Sequence, residues 1–392
     1  MNEVSNEVEN DAVKSVNEVQ ENETQCDKKG KKKKLTFKQT CCRLLIKYSI
    51  IFAVVVISLK LYGCMRQINR APSDTELALL KSSKKALNEE KTAENLLTHV
   101  KFLSIREKPR NYEHMDSLNE CADYINDYFS QNFYFDVSEQ EFNADGFARK
   151  GTKFRNIIAT TPEIKGAPYI IVGAHYDCFN TTPGADDNAS GVAVLLEVAK
   201  KIAIIEKLST KQNLKVNVVF AAYANEEPPF FTTSGMGSYV HAQSWLKNKE
   251  NIDLMLCLEM LGYYSDEPNS QNYPVPLLKW FFPTTGNFVA SVGNSESSDY
   301  ARLMDWYIRK FAQLPSEFVS LPSYVKETAF SDHRNFWEIN VPAVMLTDTA
   351  FFRNKNYHEL TDTYDTLNYQ NMAKITNAIT VFLLNYEPKN DR

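Results

Sequence analysis

The architecture of this chain follows from two neighbouring segments, Gly173-Ala174-His175-Tyr176-Asp177 and Gly184-Ala185-Asp186-Asp187-Asn188-Ala189-Ser190-Gly191. The apolar, β-branched run 169–174 leads into the first segment and predicts a buried strand. His175 and Asp177 then stand at the carboxyl end of that strand. Active sites of α/β sheets lie at this edge, so the segment predicts an α/β fold with a candidate site here.

The second segment leads into a predicted helix. Apolar residues recur at helical spacing after Gly191, at Val192, Leu195, Leu196, Ala199 and Ile202. This spacing places Asp187 and Asn188 at the helix N-cap, close to backbone N–H groups and to the positive end of the helix dipole. An ordinary strand, loop and capped helix without a functional site would have the same sequence pattern, so these segments alone leave the function open.

Two further predicted strands end in acids. The apolar run 216–224 leads into Asn225-Glu226-Glu227, and the run 252–258 leads into Glu259. A single acid at a strand end is more often solvated than functional. Two adjacent glutamates are a stronger sign of a functional site. Neighbouring residues on an extended chain point to opposite sides, so one glutamate can face a metal while the other faces the substrate. The late pair Tyr357-His358 completes the set.

These residues together have the chemistry of a zinc site. Two imidazoles and three carboxylates are ligands that zinc takes in proteins. Five ligands exceed the four of one tetrahedral zinc, whereas they suit two zinc ions about 3.5–4 Å apart that share a carboxylate. The sequence therefore predicts two Zn²⁺ per chain.

The chain resembles the co-catalytic zinc exopeptidases, peptidase family M28, because it carries these motifs in the order in which they occur in that family. The resemblance covers roughly residues 90–388 and rests on His-x-Asp, Asp-Asn-Ala-Ser-Gly, Asn-Glu-Glu, Glu-Met and Tyr-His. The family includes secreted aminopeptidases, glutamate carboxypeptidases, glutaminyl cyclases and the transferrin receptor. It implies a zinc exopeptidase fold and a metallo-aminopeptidase, a hydrolase that removes the N-terminal residue of peptides.

The resemblance also implies a role for each residue. The ligands of one zinc would be His175 and Glu259, those of the other Glu227 and His358, and Asp187 would bridge them. Many relatives have aspartate where this chain has Glu259.

The remaining roles are catalytic. Asp177 would orient His175, Glu226 would be the general base, and Tyr357 would stabilise the oxyanion. The family-like run Ser331–Phe336 is expected to line the site, where His333 is either a structural hydrogen-bonding residue or a substrate contact.

Composition and patterning divide the chain into four parts. We expect a disordered, basic cytoplasmic tail (1–43), a transmembrane signal anchor (44–65), a polar stalk (66–90) and a zinc peptidase domain (91–392). A hydrophobic content of 43% supports a large core. A net charge of −5 argues against a nucleic-acid partner.

The membrane prediction rests on the run 44–65. Its uncharged centre is shorter than the roughly 20 residues that cross a bilayer, so Lys47 and Lys60 would have to snorkel to the interfaces. Eight Lys and Arg residues lie between Lys28 and Arg43, which favours a cytoplasmic N-terminus and an extracytoplasmic (periplasmic, lumenal or cell-surface) enzyme. A buried core helix and a cleaved signal peptide are the alternatives.

The remaining pattern alternates strands and helices. Helices are predicted at 93–103, 118–129, 235–247, 298–312 and 370–384, with further strands at 135–147, 156–160, 288–293, 317–320 and 341–347. Such alternation predicts a mixed, mostly parallel central sheet with helices on both faces.

Two other functions compete with the aminopeptidase. One is a glutaminyl cyclase-like acyltransferase with one zinc, and the other is a non-catalytic binding ectodomain on the same fold.

Overall fold

A computed structural model of the chain describes residues 71–73, 87–131, 134–209, 212–274 and 276–388. The predicted tail (1–43), anchor (44–65) and most of the stalk (66–90) lie outside these residues. Within the described ranges, no helix is both long and apolar enough to cross a bilayer.

The described residues form one eight-stranded sheet. Its strands are β1 (Asp136–Asn143), β2 (Lys153–Thr160), β3 (Tyr169–His175), β4 (Asn217–Tyr223), β5 (Ile252–Glu259), β6 (Val289–Asn294), β7 (Ser316–Leu321) and β8 (Ala343–Thr347). Their order across the sheet is β1-β2-β4-β3-β5-β8-β6-β7. The four central strands, β4, β3, β5 and β8, run parallel to one another.

The outer strands mix both directions. β2 pairs antiparallel with β4 and with β1, and β6 pairs antiparallel with β8 and parallel with β7. The prediction of a mixed, mostly parallel central sheet is confirmed. Parallel strands are covered on both faces, which explains why β4 and β5 are buried at every position.

Seven α-helices connect or cover the strands in the described part of the chain. They are α1 (Glu89–Ser104), α2 (Met115–Ser130), α3 (Gly191–Leu208), α4 (Gly237–Ser244), α5 (Ser298–Tyr307), α6 (His333–Glu338) and α7 (Tyr369–Asn385).

The two faces of the sheet have separate cores. Ile170 and Val172 of β3 belong to the core that contains α1, α3, α5 and α7. Ile171 between them belongs to the core that contains residues of α4 and α6. Side chains alternate along a strand, so helices cover both faces, as predicted.

One local prediction is wrong. Helix α3 begins at Gly191, so its N-cap position is Ser190 rather than Asp187 or Asn188. Those two residues have non-helical backbone angles and lie in an irregular turn over residues 185–190. Asn188 Oδ1 accepts from the Gly191 N–H, as a cap would, but also from Met260 N–H at 3.0 Å. The turn is therefore tied to the end of β5 instead of continuing the helix.

Several element boundaries also differ from the sequence prediction, and one short helix was not predicted. β1 ends at Asn143, because the chain turns through Gly146 at φ 101°. β2 begins three residues earlier than predicted, at Lys153. The short helix α6 was not predicted.

Candidate metal centre

The ends of three neighbouring parallel strands bring the candidate ligands together. His175 is the last residue of β3, and Glu259 is the last residue of the adjacent β5. Glu226 and Glu227 follow β4, which pairs with β3 on its other side. Parallel strands end at one edge of the sheet, so three separate loops deliver side chains to one point.

The first group of possible metal ligands contains His175, Asp187 and Glu259. His175 Nε2 lies 3.3 Å from Asp187 Oδ1 and 3.3 Å from Glu259 Oε2. All three residues are buried.

The second group contains Asp187, Glu227 and His358. His358 Nε2 lies 3.2 Å from Asp187 Oδ2 and 3.2 Å from Glu227 Oε2. Asp187 is common to both groups and presents one oxygen to each imidazole. Asp186 has turned away from both, since its carboxylate accepts from Gly262 N–H at 2.9 Å and from Asn354 Nδ2 at 2.7 Å.

Several of these atoms have no hydrogen-bond partner among the described residues. They are His175 Nε2, Asp187 Oδ1, Glu227 Oε1 and His358 Nε2. The contacts of 3.2–3.3 Å between them are not aligned as hydrogen bonds. Buried polar atoms are rarely left without a partner. A cation at each of the two groups would satisfy the unpartnered atoms of that group, so these side chains fit metal binding.

The charges of the cluster also favour cations. Burial is the main cause that raises the pKa of Glu227, to about 8, and the charge of Asp187 adds to it. Burial likewise raises the pKa values of Glu226 and Glu259 above their usual range. Four carboxylates therefore share a desolvated space with two imidazoles, and divalent cations would stabilise their charged forms.

For His358 and Asp187, the charges of the neighbouring groups outweigh the effect of burial on the pKa. Burial lowers the pKa of His358, but Asp187 and Glu227 raise it to about 10. Burial opposes ionisation of Asp187, yet its contacts with the two histidines hold its pKa below the usual value. The imidazoles and the Asp187 carboxylate therefore stabilise each other's charged forms.

Asp177 connects two strand ends. Its Oδ1 lies 3.3 Å from His175 Nδ1, where it can fix the orientation of that ring. Its two oxygens also accept from the backbone N–H groups of Glu226 and Glu227, each at 3.1 Å. The sequence indicated the first contact, whereas the second was not predicted, because it depends on how the loop after β4 folds back over β3.

Further side chains support the ligands. The Ser331 hydroxyl donates to Glu259 Oε2 at 2.6 Å, which gives the predicted run 331–336 a defined contact with the site. Asp362 accepts from the N–H groups of Asp186 and Asp187 at 2.9 and 3.1 Å. Sequence reasoning missed Asp362, because no motif links it to a turn more than 170 residues earlier.

Glu226 lies beside the two ligand groups and outside both. Its Oε2 lies 3.9 Å from His175 Nε2. It is buried and lines the cavity described below. A carboxylate in this position can exchange protons with a reacting group in the cavity.

His358 is held between two aromatic rings. Its ring stacks on Phe179 at 3.9 Å and on Tyr357 at 3.8 Å between centroids. Burial and the charges of the nearby carboxylates raise the pKa of Tyr357. Its phenol therefore stays protonated and can donate a hydrogen bond.

His333 does not belong to the cluster. Its ring is fully buried, its Nε2 bonds the carbonyl oxygen of Thr328 at 2.8 Å, and it packs edge-on against Trp337. Burial lowers its pKa to about 4. Of the two alternatives, the structural role is the one that this geometry supports.

A cavity of about 490 Å³ opens beside the cluster. It extends from Asp187, Glu259 and His358 across the sheet towards β6 and β7. Aromatic and aliphatic side chains form most of its wall. A substrate with an apolar side chain could enter it while its reacting bond lies against the cluster.

Comparisons with known proteins identify the family to which this chain belongs. The model of peptidase family M28 matches residues 156–383. The uncharacterized protein YfbL of Escherichia coli is 39% identical over 300 residues, which span 74% of this chain and 88% of that protein.

Solved structures share the fold. The Legionella pneumophila LapA aminopeptidase has a TM-score of 0.59 at 18% identity, covering 81% of this chain and 77% of that chain. The glutaminyl cyclase of Porphyromonas gingivalis has a TM-score of 0.52 at 17% identity, covering 74% of this chain and 97% of that chain. The family match spans more than half of this sequence and includes every candidate ligand, and the chain therefore belongs to peptidase family M28, as its motifs predicted.

Proposed function

We propose that the chain is a zinc-dependent aminopeptidase with two zinc ions per chain. The observation that carries the proposal is the pair of ligand groups that share Asp187. His175 and Glu259 would complete one site, and Glu227 and His358 the other. Zinc ions held there would polarise the scissile carbonyl and supply hydroxide near neutral pH.

Glu226 is the proposed general base. It lines the cavity and lies outside both ligand groups, so it is free to take a proton from the attacking water. It would then pass that proton to the leaving amine. Cations bound nearby would lower the pKa of this carboxyl from the value that burial imposes, which makes it a carboxylate in the working enzyme.

Tyr357 and Asp177 support this chemistry in different ways. The phenol of Tyr357 lines the cavity beside His358 and would donate to the oxyanion that forms at the scissile carbonyl. Asp177 would hold His175 in its ligating orientation, while fixing the loop that carries Glu226 and Glu227.

The test compares three peptides: one with a free N-terminus, the same peptide N-acetylated, and one that begins with glutamine. Mass spectrometry of the peptides after incubation with the zinc-loaded full chain should show release of the first residue from the two peptides with a free N-terminus and none from the acetylated peptide. Loss of ammonia from the glutamine peptide, without cleavage, would indicate a cyclase. Binding without any change in mass would indicate a non-catalytic ectodomain.

A further inference from the structure

One loop, residues 176–184, joins the candidate ligand His175 to the turn that carries Asp187. Both of these residues belong to the first ligand group. Phe179, in the same loop, stacks on the ring of His358 in the second group, with 3.9 Å between the ring centroids. The position of this loop therefore affects candidate ligands of both groups.

The side chain of Arg110, between α1 and α2, holds both ends of the loop. Its Nε donates to the carbonyl oxygen of Tyr176 at 2.8 Å, at the beginning of the loop. At the other end, Nη1 donates to the Pro183 oxygen at 2.5 Å and Nη2 to the Gly184 oxygen at 2.6 Å. One planar group therefore sets the separation between the end of β3 and the turn that carries Asp187.

The middle of the loop is held by the same short segment. The backbone carbonyl of Arg110 accepts from the Cys178 N–H at 3.1 Å. The next residue, Asn111, is buried, and its side-chain amide donates to the carbonyl oxygen of Asn180. Residues 110 and 111 together therefore contact the loop at both ends and in between.

In the described ranges, the guanidinium of Arg110 bonds carbonyl oxygens and no carboxylate. The side chain is fully buried. Its remaining acceptor, the oxygen of Leu103, lies 3.2 Å away in the last turn of α1, where the helix dipole favours a positive charge. Burying a charge is costly unless its hydrogen bonds are satisfied, and bonds from a charged donor are stronger than neutral ones. The planar guanidinium therefore holds the loop firmly and at a fixed spacing.

The guanidinium and the turn are in direct contact at Gly184. This residue has a φ of 63°, and a Cβ there would lie 2.8 Å from Arg110 Nη2 and 2.4 Å from the carbonyl oxygen of Asp187. The Gly184 carbonyl also accepts from the N–H of Ala189 at 3.2 Å, within the turn. A shift of the guanidinium would therefore be passed to the backbone on either side of Asp187.

We propose that Arg110 is a positioning residue of the metal centre, which sets the separation between His175 and the shared ligand Asp187. The proposal rests on the two-zinc function proposed above. Arg110 does not line the cavity in the described part of the chain, so it acts through the backbone of the loop and takes no part in bond cleavage.

The test compares zinc binding by the full chain, its Arg110→Lys variant and its Arg106→Lys variant. Lysine keeps the charge, but one ammonium group cannot bond both ends of the loop. Arg106 is the matched control, since it lies in the same connection and bonds Ser117, Phe102 and Glu120 instead of the loop. Competition with a chelator should show zinc affinity about 10–100-fold weaker in Arg110→Lys and unchanged in Arg106→Lys. The visible spectrum of bound Co²⁺ should change only in Arg110→Lys.

Urea unfolding of the metal-stripped proteins separates positioning from a purely structural role. An Arg110→Lys chain that unfolds more easily, yet binds zinc with wild-type affinity and gives the wild-type Co²⁺ spectrum, overturns the proposal. If that variant does not fold, Asn111→Ala removes only the bond to the middle of the loop and should weaken zinc binding several-fold. Wild-type affinity in Asn111→Ala would then contradict the positioning role. An unmodified chain that binds fewer than two zinc ions overturns the proposed function instead.

Discussion

Two adjacent glutamates have different proposed roles in this site, one as a metal ligand and the other as a general base. Glu227 belongs to a ligand group, whereas Glu226 lies outside both. We predict that Glu226→Gln lowers kcat by ~10²–10⁴ while the zinc content stays unchanged, because it removes a base and no ligand. Glu227→Gln is the matched control and should reduce the bound zinc. Loss of metal in Glu226→Gln would reverse the two roles.

A second residue-scale prediction concerns Asp177. Both of its oxygens accept backbone N–H groups, and one of them faces His175. Asp177→Asn places an NH₂ group against one of these N–H donors, so His175 and the loop that carries Glu227 are held less firmly. Zinc binding should therefore weaken by about 10–100-fold. Competition with a chromogenic chelator measures this loss. Wild-type affinity in the variant would show that Asp177 does not hold His175 in place.

At the scale of elements, a buried carboxylate joins helices α1, α2 and α3. Glu197 accepts from Tyr128 at 2.6 Å and from Asn95 at 2.9 Å, and His99 Nε2 lies 3.4 Å away. Burial opposes its ionisation, but these partners hold its pKa at about 2. A lowered folded-state pKa stabilises the fold above the unfolded value and loses that stabilisation as pH falls.

We therefore predict that Glu197→Gln lowers the free energy of unfolding by roughly 1–3 kcal/mol at neutral pH. The difference from wild type should shrink between about pH 5 and pH 2, as the carboxylate becomes protonated. Urea unfolding of both proteins at several pH values measures this difference in the free energy of unfolding. Glu94→Gln, at an exposed ion pair on α1, should change stability by less than about 1 kcal/mol. A pH-independent difference would show that the charge of Glu197 is not what stabilises the packing.

The elements also show what the sequence could predict. Long apolar runs such as 169–174 identified the buried strands, because a strand covered on both faces needs apolar residues at every position. The prediction that Asp187 and Asn188 cap the helix was wrong, because Asn188 bonds Leu258 of β5 and Met260 just after that strand. Ser331 was placed only within a run, because its hydrogen bond to Glu259 depends on how the segment before α6 packs against the end of β5, which spacing along the chain does not reveal.

At the scale of the whole molecule, we propose that the chain is anchored by residues 44–65 with its N-terminus in the cytoplasm. The proposal rests on the Lys and Arg residues that precede the span, against Arg66 and Arg70 beyond it. Protease added outside sealed cells or vesicles should digest the catalytic domain and spare an N-terminal tag. Loss of the tag with protection of the domain would reverse the orientation, and release by carbonate would remove the anchor.

The central claim is that two zinc ions share Asp187. Zinc should be titrated into metal-stripped full chain while released N-terminal residue and bound metal are measured on the same samples. We predict that activity reaches its plateau at about two zinc ions per chain, and that Asp187→Asn neither binds the full amount nor regains activity. Full activity with a single bound zinc would contradict the account.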